Sequence, residues 1–148
     1  MPSPKAVAAE PRSIALKIDP DSRLAAAAGG AARFLADGAG LAGTAVGELQ
    51  KSVIAVCQEA FERLESEHAH LNVTLTRFQD RIEVLLTHEG SAAPIVGLDQ
   101  IAGLARQFGG LPFGEGLLRG IDRVQYEAQG SVAITRLTKY LGRAPQIV

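Results

Sequence analysis

The chain has 148 residues, of which 47% are hydrophobic and 21% charged, with a formal net charge of −1. That length suffices for one domain with its own core, and a charge so evenly balanced excludes an electrostatic footprint for nucleic acid. A single cysteine, Cys57, excludes disulfide frameworks and multi-cysteine metal sites within the monomer, and the lack of Trp argues against a base-stacking platform.

Residues 1–12, MPSPKAVAAEPR, hold three prolines and no apolar period, and read as a flexible leader. Alternation of Ile14, Leu16 and Ile18 predicts a short, half-buried strand. The stretch DPDSRLAAAAGGAARFLADGAG predicts a helix, with Asp19 as cap, Pro20 at the first helical position and Gly38 as its stop. Inside it, the Gly29–Gly30 pair either weakens the helix or lets a neighbour approach closely. A second helix is expected from about Thr44 to about Glu67, on the stripe Val46, Leu49, Val53, Cys57, Ala60, Phe61 and Leu64.

LNVTLTRF and RIEVLLT follow, with Leu71, Val73 and Leu75 alternating in one and Ile82, Val84 and Leu86 in the other. With Gln79-Asp80 at the turn they predict a β-hairpin. Residues 88–116 carry seven glycines and two prolines and are expected to be loop-rich, with a short helix near 98–107. After a brief helical turn around GLLRGI, RVQYEAQGSVAITRLTKYL reads as a closing hairpin turning at Gln129-Gly130. Residues 13–141 are thus expected to form one domain, with 142–148 as a tail. Strands grouped as hairpins, with helices apart from them, predict a two-layer α+β sandwich whose mostly antiparallel sheet is covered on one face by helices. With no apolar run of spanning length and no signal-peptide pattern, a cytoplasmic location is expected.

In order and spacing, VIAVCQEAF, FQDRIEVLLTHEGSA, GEGLLRGIDRVQY and SVAITRLTKYL resemble the histidine-kinase-like ATPase (Bergerat) fold. Within that fold the chain is most similar to the anti-sigma factor serine-protein kinases of bacterial partner switches. The resemblance implies a helix bearing a catalytic Glu and, four residues later, an Asn that holds Mg²⁺ against the phosphates of ATP. Glu59 matches the Glu, but Arg63 stands at the Asn position. It also implies an Asp-x-Gly whose carboxylate reads the adenine amino group. Here the Asp position is His88, while Gly90 is retained. A Gly-x-Gly-Leu at a helix start, with amides facing phosphate, is matched by Gly114, Gly116 and Leu117.

Magnesium takes hard oxygen ligands, which an arginine lacks; its guanidinium brings a fixed positive charge instead. A neutral imidazole accepts one hydrogen bond, without the charge or second oxygen of a carboxylate. Ordinary Mg-ATP turnover is therefore not expected, and neither is a bound cofactor. Glu59 and Arg63 have the i, i+4 spacing of a helical ion pair, which could fill the place of metal and phosphate; a solvated surface pair is the plainer reading. His88 alone, with no second ligand at helical or hairpin spacing, does not suggest a metal site. Cys57, on the apolar stripe, reads as a buried structural thiol. His68 and His70 read as turn residues, and Arg119, Arg123, Glu115 and Asp122 as a solvated face or part of a docking surface.

By resemblance, the expected function is an anti-sigma-factor-like regulator that works by protein–protein binding. Its partner would be a sigma factor or a STAS-type anti-sigma factor antagonist, and it could form a homodimer. The alternative is an active ATP-dependent serine-protein kinase with Glu59 as general base.

Overall fold

A computed structural model describes residues 11–64, 69–89 and 119–141. Strand β1 (Arg12–Ile18) is followed by helices α1 (Ser22–Gly38) and α2 (Gly43–Phe61), then strands β2 (Leu71–Arg77), β3 (Arg81–Glu89), β4 (Arg123–Gln129) and β5 (Val132–Tyr140). The five strands form one sheet in the order β1-β2-β3-β5-β4, every neighbouring pair antiparallel. Both helices pack on it, giving the expected two-layer α+β sandwich.

Alternation decides which face of each strand meets the helices. Ile18 of β1, Leu71, Val73 and Leu75 of β2, and Ile82, Val84 and Leu86 of β3 all point into the core. From the helices come Ala25, Ala28, Ala32 and Leu35, then Val46, Leu49, Val53, Val56, Cys57 and Ala60. Small residues dominate the α1 share, and that lets the two helices approach closely. A Cβ built on Gly29 would lie 2.5 Å from Ile54 Cγ1 and 3.2 Å from the Gln50 carbonyl oxygen, so α1 and α2 meet at this glycine. Beside it, Arg33 Nη1 donates to Gln50 Oε1 at 2.9 Å.

Gly30 faces open space. The two adjacent glycines therefore differ in kind. Gly30→Ala should stabilise the fold by about 0.5–1 kcal/mol through helix propensity. Gly29→Ala should destabilise it by about 1 kcal/mol, because overpacking outweighs the same propensity gain. Urea melts of the two variants check the opposite signs.

Several boundaries differ from expectation. The first helix is capped by Asp21, whose side chain accepts from the Arg23 amide at 2.8 Å, and not by Asp19. Asp21 is the acid that immediately precedes the first helical residue, so its carboxylate meets an amide that the helix leaves unpaired. Asp19 instead pairs with His70 Nδ1 at 2.8 Å, joining the end of β1 to the start of β2. Gly38 is the last helical residue, and the left-handed position belongs to Gly40, with φ +80°. The closing hairpin turns at Gly130-Ser131, one residue later than expected, because Gln129 pairs with Val132 and Gly130 takes φ +63°.

Helix α2 stops at Phe61, short of Glu67. The amides of Glu62, Arg63 and Leu64 donate to the carbonyls of Glu59, Ala60 and Phe61, three residues back, and this tighter turn ends the α-helical ladder. Leu64 stays half-buried although it lies outside the helix, so its place on the apolar stripe survives the change of backbone. The expected leader reaches into the sheet at its last residue, since Arg12 begins β1; the leader up to residue 10, the segment expected to hold a short helix near 98–107, and the tail lie outside the described residues.

Candidate functional site

Glu59 sits on α2, two residues before its end, and is half-buried. It makes an interaction of its own, but the ion pairs formed within the described residues do not join it to Arg63. The reason is the early end of the helix. The i, i+4 geometry needs both residues on helical backbone, and Arg63 lies beyond the C-cap Glu62. The expected ion pair is therefore corrected to two separate side chains. Arg63 is half-buried, and its Nε is buried with no hydrogen-bond partner.

His88 is the penultimate residue of β3, near the end of the strand, opposite Ala133 of β5. It continues the inward row Ile82, Val84, Leu86, so the alternation of the strand aims its imidazole at the core. The residue is 2% exposed, and neither ring nitrogen has a hydrogen-bond partner. Thr135, also buried, is its diagonal neighbour on the same face, since Thr135 stands opposite Leu86. Two unbonded ring nitrogens are a costly arrangement in a core, and they mark His88 as the residue whose position the packing explains least.

The next feature was not anticipated from the chain. Past residue 118 the backbone returns to α2 at Gly120, whose amide donates to the buried Ser52 hydroxyl at 3.1 Å. A Cβ on Gly120 would overlap the Glu48 carbonyl group and the Leu49 nitrogen, so only a glycine lets this turn lie on the helix backbone. Arg119 adds a contact to Glu48 at 3.7 Å. Asp122 then accepts from the Tyr140 amide at 2.7 Å and faces Lys139 Nζ at 3.5 Å, which ties the turn to β5. Arg119 and Asp122 are thus committed within the domain, and Arg123 begins β4. Ser52 and Glu59 are seven residues apart, about two helical turns, so the docked turn and Glu59 share one face of α2.

Cys57 is fully buried on α2, and burial pushes its thiol up to about 12. It should not react with a thiol reagent such as dithionitrobenzoate at neutral pH while the protein is folded, and should react fully in denaturant. Of the other expected site residues, Gly90, Gly114, Gly116 and Leu117 lie outside the described residues, as do Glu115 and His68. No helix among the described residues is long and apolar enough to cross a membrane. Comparison with protein-family models gives no match, and comparison with curated proteins gives none.

Proposed function

We propose that this chain is a cytoplasmic regulator that acts by binding other proteins, in the manner of an anti-sigma factor, without ordinary Mg-ATP turnover. The order of its strands and helices, on which the resemblance to the histidine-kinase-like ATPase fold rests, is compatible with that reading. The observation that carries the loss of turnover is His88. Where the resemblance places a carboxylate that reads adenine, the chain buries an imidazole with neither nitrogen bonded. Arg63 strengthens the case, because a guanidinium stands where the family has a metal-holding amide and offers a cation no oxygen. The partner by resemblance is a sigma factor or a STAS-type anti-sigma factor antagonist, held by sequestration and released when a competitor covers the same surface. A homodimer is compatible with the same reading.

One observation favours a second reading. Arg63 Nε is buried without a partner, and a guanidinium is a good phosphate ligand, so nucleotide bound without metal would satisfy it. In that case Glu59 would serve as general base in a serine-protein kinase.

A thermal-shift titration with ATP and with ADP, each with and without Mg²⁺, separates the two. Ligand at 100 times its Kd stabilises a fold by about 2.7 kcal/mol, which would raise the midpoint by several degrees. We expect no shift under any of the four conditions. A shift that survives removal of Mg²⁺ and disappears in Arg63→Gln would install the second reading. The partner-binding half is tested by mixing the chain with each sigma factor and each STAS-type protein encoded beside it. A stoichiometric complex on size-exclusion chromatography is expected with at least one, and its absence throughout would remove the proposal.

A further inference from the structure

At the end of the sheet opposite His88, the inward row finishes in two arginines. Arg12 of β1 and Arg77 of β2 are direct cross-strand partners, and both continue the parity of the core residues on their strands. Like charges placed directly opposite each other destabilise a sheet. Among the described residues, neither arginine closes an ion pair or a side-chain hydrogen bond. Arg77 has a partial reason for its position: a Cβ on Gly38 would lie 3.1 Å from its Nη1, so its guanidinium rests against the last residue of α1, at the negative end of the helix dipole. Arg12 has no such reason.

The two arginines line a surface cavity of about 270 Å³ together with Phe34, Leu35, Asp37 and Gly38. Phe34 is 65% exposed, the most exposed of the large hydrophobic residues described. Asp37 has its own counter-charge in Arg33, at 3.8 Å. The cavity thus combines two guanidiniums that close no ion pair among the described residues with an aromatic ring, a leucine and the Arg33-paired carboxylate of Asp37.

We propose that this cavity binds a small organic acid, its carboxylate taken by Arg12 and Arg77 and its apolar body laid against Phe34 and Leu35. Charge selects the anion, because bringing a carboxylate between the guanidiniums turns a repulsive pair into two charge-assisted hydrogen-bonded contacts. Size selects a small one. Pockets for drug-sized ligands run from about 300 to 1,000 Å³, and this one falls just below that range, which suits a single-ring acid. The site lies at the other end of the sheet from the position that the resemblance gives to a nucleotide, and it stands or falls independently of the partner-binding reading.

The probe is phenylacetate, titrated into ¹⁵N-labelled full-length protein and followed by amide shifts, with benzylamine as the cationic control. Saturable shifts at Leu35, Gly38 and Arg77 are expected, with a midpoint of roughly millimolar Kd, as a ligand of so few atoms allows. Benzylamine should leave these amides in place. Arg12→Gln, at the exposed start of an edge strand and therefore safe for folding, should weaken binding about tenfold or more, the size of one lost charged hydrogen bond. Phe34→Ala should weaken it as well. Absence of a saturable shift, the same shifts with benzylamine, or unchanged binding in both variants would each overturn the proposal.

Discussion

Gly120→Ala should lower the stability of the domain by about 3 kcal/mol. Two effects add. The new methyl group would occupy the space of the Glu48 carbonyl and the Leu49 nitrogen, which are helix backbone and unable to move aside as a side-chain tip would. Overpacking of that kind costs about 1–3 kcal/mol. Relief by lifting the turn off α2 would break the hydrogen bond from the Gly120 amide to Ser52 Oγ and leave a buried hydroxyl unpaired, at about another 1–2 kcal/mol. For a chain of this size the melting midpoint should fall by roughly 10 °C. Calorimetry on the purified variant reads the effect directly. A midpoint within a degree of the parent would mean that the turn at 119–121 does not dock on the helix. Because that turn shares a face of α2 with Glu59, the same variant should also weaken any complex that uses this face.

Two substitutions of His88 should move stability in opposite directions. His88→Leu removes two ring nitrogens that have no partner and keeps an apolar side chain of similar size in the inward row of β3. It should stabilise the fold by about 1–2 kcal/mol, the cost of holding an unsatisfied polar group out of water. His88→Asp introduces the carboxylate that the resemblance would place there, yet it puts an acid at a site that is 2% exposed, where the imidazole nitrogens find no partner. An uncompensated buried charge should cost about 3 kcal/mol or more. Urea melts with an unchanged m-value would show that both effects act on the folded state. If Leu proved destabilising, the imidazole would be making contacts that the packing does not account for. The Leu variant carries a functional reading too. A regulator that works by its surface should keep its partner when the buried His88 is replaced.

Period alone made much of this architecture legible. The alternations Leu71-Val73-Leu75 and Ile82-Val84-Leu86 located the central hairpin, and the stripe from Val46 to Ala60 located the face of α2 that enters the core. Such signals are local: a strand or helix half-buried by its neighbours repeats its apolar residues at the period of its own backbone. Helix ends were less legible because they depend on competing hydrogen bonds. Nothing near Phe61 announces a stop, and the helix yields there to three-residue backbone bonds, which separates Glu59 from Arg63. The choice of Asp21 over Asp19 was likewise decided by which carboxylate reaches a free amide, and Asp19 found His70 instead.

Composition and spacing by themselves determined that the chain folds as a layered α+β sandwich and that its one thiol, on the apolar stripe of α2, faces the core. Those conclusions follow from residue chemistry, which travels with the sequence. Only the tertiary structure decided that the His88 imidazole is buried, that Gly120 closes onto the backbone of α2, and that Arg12 and Arg77, 65 positions apart in the chain, are cross-strand partners lining one cavity with Phe34. Each of these depends on strand register and on the distance between layers, quantities set by the packing of every element against the others and written in no single stretch of residues.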